Sequence, residues 1–115
     1  MLMNILMVDD NARVRALIKS LLGDLIKHFH ECSDGAEALE AYRQAQPDWV
    51  LMDIEMKQMD GLTATRVLRA AYPGAKIVIV TQHDDRALRE AATAAGAWGY
   101  VLKEDLLVLR EIINS

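Results

Sequence analysis

Residues 5–10 have the sequence ILMVDD, in which four apolar side chains are followed at once by two acids. A short run without polar residues is typical of a strand that is covered on both faces of a sheet. Four further short runs that are rich in apolar residues follow along the chain, and the one at Lys76 is also nearly all apolar. We therefore predict five strands, at Ile5–Val8, His28–Cys32, Trp49–Met52, Lys76–Val80 and Trp98–Leu102.

Segments with helical spacing lie between and after these runs. The third is predicted to end before Pro73-Gly74 and the fourth to stop at Gly96, since both signals are typical of helix ends. The predicted apolar faces are Val14, Leu17, Ile18, Leu21, Leu22 and Leu25; Leu39 and Tyr42, after the turn Ser33-Asp34-Gly35; the segment Leu62–Tyr72; Leu88, Ala91, Ala92 and Ala95; and Leu106, Leu109 and Ile113.

Alternating strands and helices favour an α/β fold, in which a parallel sheet carries helices on both faces. We predict a doubly wound, five-stranded parallel sheet of the flavodoxin-like type, with strand order 2-1-3-4-5. Residues 1–115 are expected to form one domain, since their number leaves little room for a second. In such sheets, ligands bind beyond the carboxyl ends of the strands, so functional residues should follow each apolar run.

The composition limits the possible classes of protein. The net charge of −4 gives no support to direct nucleic-acid binding, and the single cysteine excludes an internal disulfide. The apolar runs are too short to span a bilayer, and the N-terminal residues show no secretion signal. We therefore expect a cytoplasmic domain without a membrane partner.

Polar residues that suit phosphoryl transfer follow four of the five predicted strands. The first strand leads into Asp9-Asp10, the third into Asp53, the fourth into Thr81 and the fifth into Lys103. Three acids at one edge repel each other, and Mg²⁺ relieves such repulsion by binding carboxylates, waters and phosphate oxygens. Lys103 could pair with Asp53, or with a phosphoryl oxygen to which Thr81 also donates. The set matches the positioning and charge neutralisation that phosphoryl transfer requires.

Among the three acids, Asp53 is the best candidate nucleophile. It follows the third strand, which lies near the centre of the sheet in the predicted order, and a carboxylate can form an acyl phosphate. Each residue also has an ordinary structural interpretation; Asp10 alone could equally be a helix N-cap. The combination of acids, hydroxyl and lysine at successive strand ends is what indicates chemistry.

The sequence resembles the receiver domains of two-component response regulators over its whole length. The segments that carry the likeness are ILMVDDNARVR (5–15), CSDGAEALEAY (32–42), PDWVLMDIEMKQMDGL (47–62), AKIVIVTQHDD (75–85) and GAWGYVLKED (96–105). The last segment is most similar to receivers of helix-turn-helix regulators of the nitrate-response type. The resemblance therefore implies either a stand-alone receiver or a transcription regulator whose helix-turn-helix DNA-binding output domain is not part of this chain.

The resemblance implies a role for each matching residue. Asp53 would accept a phosphoryl group from a histidine kinase or phosphotransfer protein, and Thr81 and Lys103 would assist. Mg²⁺ would be held by Asp10, Asp53 and the backbone carbonyl of Glu55, with Asp9 acting through water. Thr81 and Tyr100 would form a switch pair that reshapes a surface for an output domain or a second copy. The domain would catalyse only its own phosphorylation and dephosphorylation.

Three positions depart from the usual pattern of that family. Lys57 and Glu104 stand where proline is common, and the long side chain of Gln82 stands where a small residue is usual. Gln82 could crowd the phosphoryl group, so we expect it to alter the rates of phosphorylation or dephosphorylation. None of the three departures changes the five chemical residues.

Other interpretations remain open on the sequence alone. The main alternative is a pseudo-receiver that acts as a binding module without phosphorylation. A haloacid-dehalogenase phosphatase is disfavoured because Asp53 lies mid-chain, and a flavin-binding module because Asp9 and Asp10 would repel a phosphate. His28, His30 and Cys32 alternate and would share one face of a strand, which is compatible with a metal site, but their place in the second strand favours packing or edge exposure. Trp98 is either an exposed anchor for a partner or packed onto a neighbouring helix.

Overall fold

Five strands and five helices alternate in the computed structural model, which describes residues 1–115. The strands are β1 (Met3–Val8), β2 (Ile26–Cys32), β3 (Trp49–Met52), β4 (Ile77–Thr81) and β5 (Gly99–Leu102). The helices are α1 (Ala12–Leu22), α2 (Ala38–Ala45), α3 (Gly61–Ala71), α4 (Arg86–Ala95) and α5 (Leu106–Ile113), and two 3-10 turns cover Gly23–Leu25 and Gly35–Glu37. All strands pair in parallel, in the order β2-β1-β3-β4-β5, which confirms the predicted fold.

The sheet separates two apolar cores. Neighbouring strand residues point to opposite faces, so Leu6 belongs to one core and Met7 to the other. Helices α2, α3 and α4 cover the first face, and α1 and α5 cover the second. Strands buried on both faces explain the continuous apolar runs in the sequence. The larger fully buried side chains are Ile5, Leu6, Met7, Ile18, Leu22, Leu51, Met52, Leu68, Ile77, Ile79, Leu109 and Ile113.

Polar caps fix the starts of three helices. The side chains of Asn11, Asp60 and Asp85 accept backbone N–H hydrogen bonds at the starts of α1, α3 and α4. Helix α4 ends at Gly96, whose φ of 99° lies in the left-handed region that glycine adopts without strain. The predicted helix stop at this glycine is confirmed. These caps fix where each helix begins relative to the preceding strand end.

Two predicted helix faces include residues that the structure leaves exposed. Leu17 is 57% exposed, because a one-residue step turns it about 100° away from the buried Ile18. Leu39 is 39% exposed because the short α2 packs instead through Ala38 and Tyr42. The prediction that both leucines face the core was therefore wrong.

The remaining features of the sequence are surface or packing residues. His28 and His30 are exposed on the edge strand β2, whereas Cys32 is buried in the apolar core, so the three do not form a metal site. Trp98 is 65% exposed, and its ring lies edge-on against Trp49 at 5.7 Å between centroids. None of the helices is long and apolar enough to cross a membrane.

Candidate active site

A polar cleft opens at the carboxyl edge of the sheet, where the loops after β1, β3, β4 and β5 converge. Its volume is about 310 Å³, and nearly all of its lining residues are polar or charged. The predicted site residues Asp9 and Thr81 are fully buried next to the strand ends rather than part of the open lining. The lining residues are Asp10, Asn11, Asp53, Glu55, Met56, Lys57, Gln82, His83 and Lys103.

Three carboxylates meet in this cleft, as the sequence predicts. Asp9, Asp10 and Asp53 each offer an oxygen, and these three oxygens lie within 4.8 Å of one another. Asp9 is completely buried and Asp53 is 5% exposed, whereas Asp10 is exposed to solvent. The arrangement gathers negative charge where water can screen little of it.

One of these carboxylate oxygens has no hydrogen-bond donor. Asp9 Oδ1 accepts a hydrogen bond from the backbone N–H of Asn11 at 2.8 Å. Asp9 Oδ2 lies at ion-pair distance from Lys103 Nζ, 3.0 Å, but it accepts no hydrogen bond. A buried anionic oxygen that accepts no hydrogen bond, together with two further carboxylates, is a donor set that fits a hard divalent cation.

Lys103 lies between two carboxylates and balances part of their charge. Its Nζ is 3.4 Å from Asp53 Oδ1, so the expected pairing with Asp53 is present, although Asp9 is the nearer partner. Burial alone would lower the pKa of Lys103, but the neighbouring carboxylates of Asp9 and Asp53 raise it overall. The lysine therefore stays charged at neutral pH.

Asp53 is the acid whose ionisation is most disturbed. Burial, and then the negative charge of Asp9, raise its pKa to about 6, although Lys103 opposes the shift. A perturbed carboxyl in a polar cleft is typical of functional sites. The deprotonated carboxylate, which is the form that a nucleophile requires, is still the main form at neutral pH.

The predicted switch residues Thr81 and Tyr100 are linked through the backbone of His83. Thr81 Oγ1 accepts a hydrogen bond from the His83 N–H at 3.3 Å, and the Tyr100 hydroxyl donates to the His83 carbonyl at 2.7 Å. The Arg89 guanidinium lies over the Tyr100 ring, 4.6 Å from its centroid. The sequence places Thr81 and Tyr100 on adjacent strands but does not reveal this shared residue.

A second contact, at the mouth of the cleft, could not be predicted from the sequence either. The side chain of His83 contacts the Glu55 carboxylate, which joins the loop after β4 to the loop after β3. The only sequence signal is position, since each residue comes two places after a predicted site residue, Thr81 or Asp53. Two of the three residues that depart from the usual pattern of the family, Lys57 and Gln82, line the cleft. At the third position, Glu104, the peptide bond with Lys103 is trans, as are all other peptide bonds of the chain.

Comparison with known proteins identifies the family. The family model for the response regulator receiver domain matches residues 5–114 of this chain. The chain belongs to this family. The resemblance predicted from the sequence is therefore confirmed, and the cleft described above is that of a receiver domain, which is a signalling module.

Two relatives illustrate the range of this receiver family. Chemotaxis protein CheY of Halobacterium salinarum is 35% identical over 99 residues, which cover 86% of this chain and 82% of that protein. Response regulator UvrY of Escherichia coli is 38% identical over 104 residues, covering 89% of this chain but only 48% of UvrY. The chain thus spans about half the length of this second relative.

A solved structure agrees with the fold and the family. The two-component response regulator of the LuxR family from Aurantimonas sp. SI85-9A1 is 31% identical and superposes with a TM-score of 0.89. The match covers 99% of this chain and 86% of that chain. The receiver domain described here therefore has relatives among regulators of the type that its last strand segment predicted.

Proposed function

We propose that this receiver domain is a phosphorylation-dependent switch and that Asp53 is its phosphoryl acceptor. The observation that carries the proposal is the cluster of Asp9, Asp10 and Asp53 beside Lys103 in a polar cleft. Asp53 is the member whose carboxylate is buried next to the lysine and still borders the open cleft. No other side chain of the cleft combines these three properties.

In the proposed reaction, an Asp53 carboxylate oxygen attacks the phosphorus of a phosphohistidine on a kinase or phosphotransfer protein. The new O–P bond forms as the N–P bond breaks, and the electron pair returns to the donor imidazole, which takes up a proton. Lys103 holds the oxygens of the transferring group by charge. Thr81 donates its hydroxyl hydrogen, which no other contact in the structure uses.

The same residues are suited to hold Mg²⁺. Asp10, Asp53 and the Glu55 backbone carbonyl would bind it directly, and Asp9 through a water, consistent with oxygen ligands and retained waters. When bound, the ion neutralises charge on the carboxylates and on the phosphoryl oxygens. Asp9 Oδ2 accepts no hydrogen bond in the structure and could accept one from such a water, which supports a cation at this position.

Phosphorylation would reach the surface through His83, whose backbone Thr81 and Tyr100 both contact. If the Thr81 hydroxyl moves to the phosphoryl group, the His83 N–H loses its acceptor, and the carbonyl that holds Tyr100 moves with the same residue. The face of α4, β5 and α5 would then change shape. Such a two-state element could contact a helix-turn-helix output domain, or a second copy in a homodimer.

The test is intact mass spectrometry after incubation with Mg²⁺ and acetyl phosphate, for the parent chain and for Asp53→Ala. We expect a single phosphoryl adduct that is base-labile, requires Mg²⁺ and is lost in the variant. Circular dichroism establishes that both proteins are folded. If several different phosphodonors all fail to give an adduct, the pseudo-receiver alternative is favoured. Gln82 would then be the first residue to replace by the small residue that is usual in the family.

A further inference from the structure

The segment between β3 and α3 carries Glu55 and Lys57 to the cleft, although it has no regular secondary structure. Its two ends are held by the backbone. Asp53 N–H donates to the Val8 carbonyl at 2.9 Å, and Gly61 N–H donates to the Ile54 carbonyl at 2.9 Å. These bonds fix where the loop begins and ends, and they leave its middle to be held by other contacts.

The Asp34 side chain holds the middle of this loop. Asp34 Oδ2 accepts a hydrogen bond from the Gln58 N–H at 2.9 Å, and Oδ1 accepts from the Met59 N–H at 3.0 Å. Oδ1 also accepts from the Ala36 N–H at 2.9 Å, which fixes the side chain on its own turn. These backbone donors, Ala36 first, lower the pKa of Asp34, so the carboxylate that holds the loop is charged at neutral pH. Asp34 is 8% exposed and thus has little competition from water.

The next residue, Gly35, lies directly against the same loop. A Cβ atom at this position would lie 2.4 Å from the Met59 carbonyl oxygen and 3.0 Å from Ala64 Cβ. The first distance is far inside van der Waals contact, and the obstructing atom belongs to the backbone. Any side chain at residue 35 would therefore push the loop away from the β2–α2 turn.

We propose that Asp34 and Gly35 form a clamp that positions the Glu55 backbone carbonyl for Mg²⁺. This inference rests on the proposed function, in which that carbonyl is a ligand. A loop fixed before the ion arrives loses less conformational freedom on binding, so the clamp raises the affinity of the site. Asp34 does not touch the ion; it is a positioning residue that acts through Gln58 and Met59.

The clamp has a consequence that does not depend on catalysis. Its test is a Mg²⁺ titration of the full chain, followed by the amide signals of the cleft in nuclear magnetic resonance spectra. We expect Asp34→Ala to weaken Mg²⁺ binding about tenfold or more, in the range found when residues that support metal ligands are removed. Gly35→Ala should weaken binding in the same direction, although it leaves the Asp34 carboxylate in place.

Two other positions in the chain supply matched controls. Asp85→Ala also removes a carboxylate that accepts two backbone N–H groups, but in the loop before α4. Gly23→Ala adds a methyl group where nothing lies within 4 Å. Both controls should retain the Mg²⁺ affinity of the parent chain. Equal affinity in the parent chain, Asp34→Ala and Gly35→Ala would overturn the clamp and leave the proposed function intact.

Absence of Mg²⁺ binding by the parent chain would instead overturn the proposed site and the clamp together. If Asp34→Ala does not fold, the Mg²⁺ affinity of Asp34→Asn is measured instead. This variant keeps one acceptor oxygen and should weaken Mg²⁺ binding by an intermediate factor. Hydrogen exchange of the metal-free parent chain gives an independent measurement. The Gln58 and Met59 amides should be protected, and exchange as fast as that of a solvated loop would contradict the clamp.

Discussion

Replacement of Asp53 by asparagine should stabilise the metal-free domain at neutral pH. The native carboxylate is 5% exposed and lies in the field of Asp9. Asparagine has nearly the same shape and carries no charge. Lys103 keeps a carboxylate partner in the variant, because its nearer contact is with Asp9 at 3.0 Å.

The size of this effect follows from the pKa of Asp53. It rises from 3.8 to about 6, and each pKa unit corresponds to roughly 1.4 kcal/mol, so the shift represents about 3 kcal/mol. A carboxyl group whose pKa is raised by folding contributes stability that is fully present at pH values below its unfolded-state pKa. This contribution is lost as the pH rises through its folded-state pKa. At pH values above about 7, the parent chain has lost this contribution. The asparagine side chain of the variant has no charge to bury at any pH.

Urea unfolding with a chelator present measures this difference at about pH 4 and about pH 7.5. The variant should exceed the parent chain in free energy of unfolding by about 3 kcal/mol at the higher pH, and the difference should shrink at the lower pH. Mg²⁺ should then stabilise the parent chain more than the variant. A variant that is equally stable or less stable at the higher pH would refute the electrostatic reasoning.

Three further predictions concern the packing and chemistry around the site. Gly61→Ala should lower the free energy of unfolding by about 3 kcal/mol or more, since the added Cβ would lie 1.8 Å from the Asp53 carbonyl oxygen. Urea unfolding measures this change. The control Gly74→Ala, whose added Cβ would have no atom within 4 Å, should leave the free energy of unfolding nearly unchanged. Cys32 should react slowly with a thiol reagent at neutral pH until urea unfolds the protein, because burial raises the pKa of its thiol to about 11. Rapid labelling of the folded protein would contradict this. Gln82→Ala should phosphorylate severalfold faster with acetyl phosphate, since it opens the cleft, and unchanged kinetics would remove the proposed effect of Gln82.

The fold could be predicted from the sequence because its signals are local. Short apolar runs, such as Ile5–Val8, identify strands that are buried on both faces. Once strands and helices alternate, the parallel sheet and the meeting of strand ends follow from chain geometry. The gathering of Asp9, Asp10 and Asp53 at one edge is therefore predictable without any side-chain contact being known.

The contacts that complete the site depend on residues far apart in the chain. Asp34 lies 24 positions before Gln58, and nothing in its local sequence distinguishes a loop clamp from an ordinary turn. The link from Thr81 to Tyr100 through a single residue likewise requires the register of β4 against β5. The prediction that Leu17 faces the core was wrong because periodicity identifies the apolar face of a helix but not how much of that face the rest of the fold covers.

The most direct test of Asp53 as the phosphoryl acceptor is to locate the phosphoryl group in the chain. Protein phosphorylated by acetyl phosphate with Mg²⁺ is reduced with borohydride, which converts an aspartyl phosphate into homoserine, and is then digested and sequenced by mass spectrometry. We expect homoserine at Asp53 alone. Homoserine at Asp9 or Asp10 instead, or at no position in a phosphorylated chain, would contradict this expectation.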